Sequence, residues 1–122
     1  MIIDTHAHLD FPEFKADMES VLSRAKEAGL GYIINVGTSL AASKKSVMLA
    51  NRFDNIYASI GIHPHDAAKV SEQDWQTLES LVKESKVIAI GETGLDYYRN
   101  RSPHEDQQRI FHKHLALAKA HN

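Results

Sequence analysis

Short apolar runs alternate along this chain with longer stretches in which apolar residues recur every three or four positions. The first pattern suits a buried strand, and the second has the period of an amphipathic helix. Ile2 and Ile3, β-branched and apolar, predict a buried first strand over about residues 1–5. Phe14, Met18, Val21, Leu22 and Ala25 then predict a helix over roughly residues 13–28, with Gly29 as its left-handed stop. Residues 32–36 predict a second strand, and Thr38 or Ser39 caps a second helix over about residues 40–51. Residues 56–60 predict a third strand. Ser71 opens a capping box with Asp74 in the acid's place, and the helix behind it turns Trp75, Leu78, Leu81 and Val82 to one side. Residues 87–90 predict a fourth strand. Ser102-Pro103 starts a last helix with Ile110, Phe111, Leu115 and Ala118 inward.

This is an α/β chain of about four strand–loop–helix units, each roughly 30 residues long. Helical crossovers imply parallel strands with right-handed connections. The second, third and fourth strands are near-continuous apolar runs, as expected when both faces are covered. A (β/α)8 barrel typically takes about 250 residues. The pattern therefore predicts one domain over residues 1–122, forming about half of a TIM-like barrel. A doubly wound open sheet is the alternative, but no glycine-rich phosphate fingerprint follows the first strand.

Composition narrows the partners. The 122 residues are 43% hydrophobic and 25% charged, with a net charge of −2. There is no global basic field, so a nucleic acid would have to be held locally or through a bound cation. The absence of cysteine excludes disulfides and thiolate metal sites. The first residues are no signal peptide, and no apolar run approaches transmembrane length, so no membrane partner is expected and the default location is cytoplasmic.

The candidate chemistry collects where the strands end. Side chains two apart on a strand share a face, so His6 and His8 point the same way. Two neutral imidazoles side by side are half of a divalent metal site. Asp4 is placed to accept from an imidazole N–H. Asn35 ends the second strand, and His63-Pro64-His65 is a rigid turn after the third. Those two histidines read equally as phosphate contacts and as loop residues bonded to backbone. Glu92 follows the fourth strand between Gly91 and Gly94, and a carboxylate there can bridge two cations. Asp96 reads equally as loop and as site. Arg99 and Arg101 lie just beyond and can hold phosphates, and each alone reads equally as a solvated loop residue. His104, His112, His114 and His121 read as a solvated helix face. No nucleophile elbow, Walker loop or cysteine dyad is present, so the chemistry on offer is metal-activated water. Mixed nitrogen and oxygen donors suit zinc, manganese or similar cations.

Three stretches resemble the TatD-type deoxyribonucleases, which belong to the amidohydrolase-like metal-dependent hydrolases. They are residues 4–10 (Asp-Thr-His-Ala-His-Leu-Asp), 61–65 (Gly-Ile-His-Pro-His) and 91–98 (Gly-Glu-Thr-Gly-Leu-Asp-Tyr-Tyr). They fall in the family's order and at its spacing. The resemblance implies a TIM-like barrel with one or two divalent cations (zinc, manganese or magnesium). It implies cleavage of DNA phosphodiesters from the 3′ end, at single-stranded ends or nicks, and a link to DNA repair. It carries His6 and His8 over as metal ligands and Glu92 as the catalytic, bridging ligand. His63 and His65 carry over near the substrate phosphate. Family members are about twice this length and take two further histidines and an aspartate from later strands. The resemblance thus implies an N-terminal half with weak or no nuclease activity alone, and an open half barrel predicts self-association. The other readings are a related amide or ester hydrolase and a non-enzymatic half-barrel fragment.

Overall fold

The four strands pair in chain order into one parallel sheet: β1 (Ile2–Ala7), β2 (Leu30–Val36), β3 (Ile56–Ile60) and β4 (Val87–Ile90). The helices are α1 (Met18–Glu27), α2 (Leu40–Arg52), α3 (Glu72–Leu81) and α4 (His104–His121). The structure is a computed structural model, and it describes residues 1–121. Strand and helix order match the apolar pattern, and the fold class is α/β as expected.

Local chemistry explains most boundaries. Gly29 ends α1 at φ +89°, where a side chain would be strained. Ser39, rather than Thr38, caps α2 by accepting from the Ala42 N–H at 3.1 Å. The capping box of α3 forms with aspartate: Ser71 Oγ accepts from the Asp74 N–H and Asp74 accepts from the Ser71 N–H. The expected first helix is interrupted. A 3-10 turn over Pro12–Phe14 precedes α1, so Phe14 packs from the turn and not from the helix.

The core is built on the middle of the sheet. Ile33, Ile56, Ala58 and Ile60 pack with Ile62, Trp75, Leu78, Ile110 and Leu117. The edge strands depart from expectation. Ile2 is 59% and Ile3 49% exposed, so β1 is not a buried strand. Ile88 on β4 is 53% exposed and Tyr32 on β2 39%, so covering both faces holds for β3 but not for β4, and for β2 only toward its carboxyl end. Apolar patterning records what a strand can bury, and each edge strand has a sheet neighbour on one side only among the described residues.

The last helix is rotated from the expected orientation. Leu115 and Ala118 are exposed and Phe111 is only half-buried. His114 and Leu117 face inward with Ile110 instead. His104, His112 and His121 lie at the surface as expected, but His114 does not.

Candidate metal centre

Parallel strands deliver their carboxyl ends to one edge of the sheet, and the loops that leave there are tied together by backbone. The Glu92 N–H donates to Gly37 O at 2.9 Å, and the His63 N–H to Thr38 O at 2.7 Å. The exit of β2 therefore holds the loops after β3 and β4. Gly61 is required for this closeness: a Cβ there would lie 2.6 Å from both Gly91 C and Glu92 O.

His6 is in β1 and His8 just beyond it, and the strand period brings their Nε2 atoms to 3.2 Å. Glu92 Oε2 lies 3.4 Å from His6 Nε2 and 3.8 Å from His8 Nε2. Ligand atoms of all three fall within 4.8 Å of one another. Donors at about 2.1 Å around a tetrahedral cation stand roughly 3.4 Å apart, so the spacing fits a shared ion. It fits direct hydrogen bonding poorly, since two of the three separations approach or exceed the outer limit for such a bond.

The tautomers support the same reading. His8 Nδ1 sits 3.1 Å from Val36 O, a pure acceptor, so Nδ1 carries the proton. Nε2 is left with its lone pair toward His6 and Glu92. Orienting one imidazole nitrogen through a carbonyl is how metal-binding histidines are commonly held. His63 is arranged the other way. Its Nδ1 accepts the His65 N–H at 3.1 Å, so a neutral ring carries its proton on Nε2, 3.5 Å from Glu92 Oε1. Such a ring is a donor and offers no lone pair there. Burial holds its pKa below 6.5, partly offset by Glu92.

Other expected site residues fall into two groups. His65 Nε2 lies 2.6 Å from Asp96 Oδ2. The Arg99 N–H, followed by His65, holds the Asp96 carboxyl below the usual carboxylate range. Asp96 is thus a partner of a site-edge histidine. A cavity of about 510 Å³ opens beside this pair, lined by Thr38, His63, His65, Asp66, Lys69 and Arg101. Arg99 is exposed and outside that lining.

Asn35 is structural. It is fully buried, accepts from the Leu9 N–H, and donates to Asp10 and Ser46. It fixes the chain just past His8. Asp4 accepts from the His6 backbone N–H at 3.0 Å and not from an imidazole.

A parallel β/α sheet with imidazoles and a carboxylate at its carboxyl edge has the form of part of a TIM-like barrel, with its polar groups on the loop-bearing face. Comparison with known proteins gives the family. The family model "TatD related DNase" matches residues 3–122, and the chain belongs to that family. It is 39% identical, over its full length, to an uncharacterized metal-dependent hydrolase, YabD, of Bacillus subtilis, covering 48% of that protein. It is 37% identical to a 3′-5′ ssDNA/RNA exonuclease TatD of Enterobacter lignolyticus, over 96% of this chain and 45% of the relative. The crystal structure of YjjV, a TatD homologue of Escherichia coli, superposes with a TM-score of 0.90 at 37% identity, covering 98% of this chain and 47% of that one. The chain spans about half the length of the curated relatives it matches, and its fold is the matching half of their TIM-like barrel.

Proposed function

We propose that this chain provides the metal-binding and phosphate-binding half of a nuclease that hydrolyses DNA phosphodiesters from the 3′ end. The observation that carries the reading is the convergence of His6 Nε2, His8 Nε2 and Glu92 Oε2 at the spacing of a coordination sphere. In this proposal His6, His8 and Glu92 hold a divalent cation, with zinc and manganese favoured by the mixed donors and magnesium a third choice. When bound, the cation supplies Lewis acidity at phosphate and acidifies water. Glu92 is the catalytic carboxylate, able to bridge to a second cation when one is present.

His63 donates its Nε2 proton toward a substrate oxygen, a role its tautomer suits. His65, held by Asp96, and Arg101 contact phosphate from the adjoining cavity. Arg99 contacts the strand further out. Lys69 is paired with Asp66 at 2.8 Å, so Arg101 is the cation of that lining that favours a phosphodiester over an amide substrate. The substrate is single-stranded DNA or a nicked end, and the setting is DNA processing in the cytoplasm. No helix among the described residues is long and apolar enough to cross a membrane.

Anisotropy of a fluorescein-labelled single-stranded oligonucleotide tests this reading. Binding should require Mn²⁺ and weaken about tenfold in Arg101→Ala, the loss of one charge-assisted contact. A small amide should not be turned over. Nuclease turnover by these 122 residues should be weak beside that of a full-length relative. Oligonucleotide affinity indifferent to Mn²⁺ and to Arg101 would overturn the reading. The proposal extends to self-association through the exposed edges β1 and β4, and sedimentation should find dimers or larger species at micromolar concentration. A clean monomer would refute that part.

A further inference from the structure

Four of the eight histidines take no part in the proposed chemistry, and one of these four is buried. His114, on α4, is 1% exposed. Its Nε2 accepts the Ile62 N–H at 3.0 Å. Its Nδ1 lies 2.8 Å from Ile110 O and 3.0 Å from Thr93 Oγ1. Trp75 closes the ring's other side edge-on, with centroids 5.1 Å apart. A backbone N–H can only donate, so Nε2 is the bare nitrogen and Nδ1 carries the proton, directed at the Ile110 carbonyl. Every polar atom of the ring is satisfied by a fixed tautomer.

The partners matter more than the burial. Ile62 immediately precedes His63, and Thr93 immediately follows Glu92. We infer that His114 is a positioning residue for the metal centre, a single buried ring that sets the separation of the His63 turn from the Glu92 loop. Two other buried polar side chains at the start of the same helical segment secure the outer ends of those loops. Ser102 Oγ donates to His65 O at 2.8 Å and accepts from the Ala68 N–H. Gln107 accepts the Asp96 N–H at 2.9 Å and donates to Asp96 O at 3.1 Å. His114 grips the inner ends, next to the two groups 3.5 Å apart across the site.

Burial pushes the His114 pKa down to about 4, so the ring stays a neutral acceptor for Ile62 near neutral pH. Without the ring, the N–H of Ile62, a residue only 2% exposed, would be left unpaired. The loop would move to satisfy it, and His63 would move with it.

This inference rests on His6, His8 and Glu92 being cation ligands, and the test separates the two claims. Mn²⁺ affinity is measured by calorimetry on the parent chain, His114→Leu and His114→Gln, each confirmed folded by circular dichroism. The Leu variant should bind Mn²⁺ about tenfold more weakly, within the range seen when outer partners of a metal site are lost. The Gln variant, whose amide can still accept from Ile62, should recover most of that loss. In parallel, the Leu variant should shift the His63 ring nitrogens and the Glu92 amide in metal-free ¹⁵N spectra. Should His114→Leu fail to fold, Thr93→Val removes one hydroxyl partner and should shift the Glu92 amide. Parent-like affinity together with parent-like His63 and Glu92 signals in a folded Leu variant would overturn the inference. A parent that binds no Mn²⁺ while the spectra still respond would instead remove the ligand assignment and leave the positioning role standing.

Discussion

Two kinds of histidine stand at the carboxyl edge of the sheet and do opposite work. At the rim, His8 has one nitrogen tied to Val36 O while the other faces His6 and Glu92. Behind the rim, His114 has both nitrogens occupied by protein. A ring with a free lone pair aimed at other donors is prepared for a cation, and a ring with none is a fastener. The difference is set by position relative to the sheet edge: strand ends project side chains into the open, whereas α4 presses its inner face on the loops below.

The sharpest way to break this contrast is through protons. The folded value of His114, about 4, lies below its ordinary value of 6.5. The unfolded chain therefore takes up the proton first. The contribution to stability is complete above pH 6.5 and is lost as pH falls toward 4, with a size of about 3 kcal/mol. Urea unfolding between pH 7 and 4.5 should show this slope in the parent and lose it in His114→Gln. Equal slopes would mean the ring is not the neutral fastener described.

A smaller effect is expected at the approach of the two loops. Gly61→Ala puts a Cβ against the backbone of Gly91 and Glu92, which has little room to yield. A cost of about 2 kcal/mol is expected, together with weaker Mn²⁺ binding because Glu92 is displaced. Smaller still is Gly29→Ala, where nothing lies within 4 Å of the new Cβ and only the positive φ is strained. That change should cost about 1 kcal/mol and leave Mn²⁺ affinity alone. Equal metal affinity in both variants would argue against Gly61 as a spacer of the site.

Much of this was legible in the residues. Continuous apolar runs on one hand and three- to four-residue spacing on the other separated strands from helices, and the alternation of side chains along a strand put His6 and His8 on one side. Glu92 was legible as a strand-end carboxylate between glycines, although its distance to the histidines needed the parallel pairing of β1 through β4. The signal for His114 was present too. Gln107, Ile110, His114 and Leu117 recur at three- and four-residue spacing and are all buried. Reading histidine by polarity rather than by position hid that stripe and favoured Leu115 and Ala118. The exposure of Ile3 and Ile88 was not legible, because an apolar strand looks the same whether or not a neighbour covers it. Asn35 stood at a strand end like the site residues, and only its buried hydrogen bonds show that it serves the loop instead.

Crystals of the chain grown with Mn²⁺ and measured near the manganese absorption edge test the central claim most directly. The account predicts an anomalous peak within about 2.0–2.3 Å of His6 Nε2, His8 Nε2 and a Glu92 carboxylate oxygen. Manganese bound elsewhere, or its absence from these three side chains at saturating concentration, would contradict it.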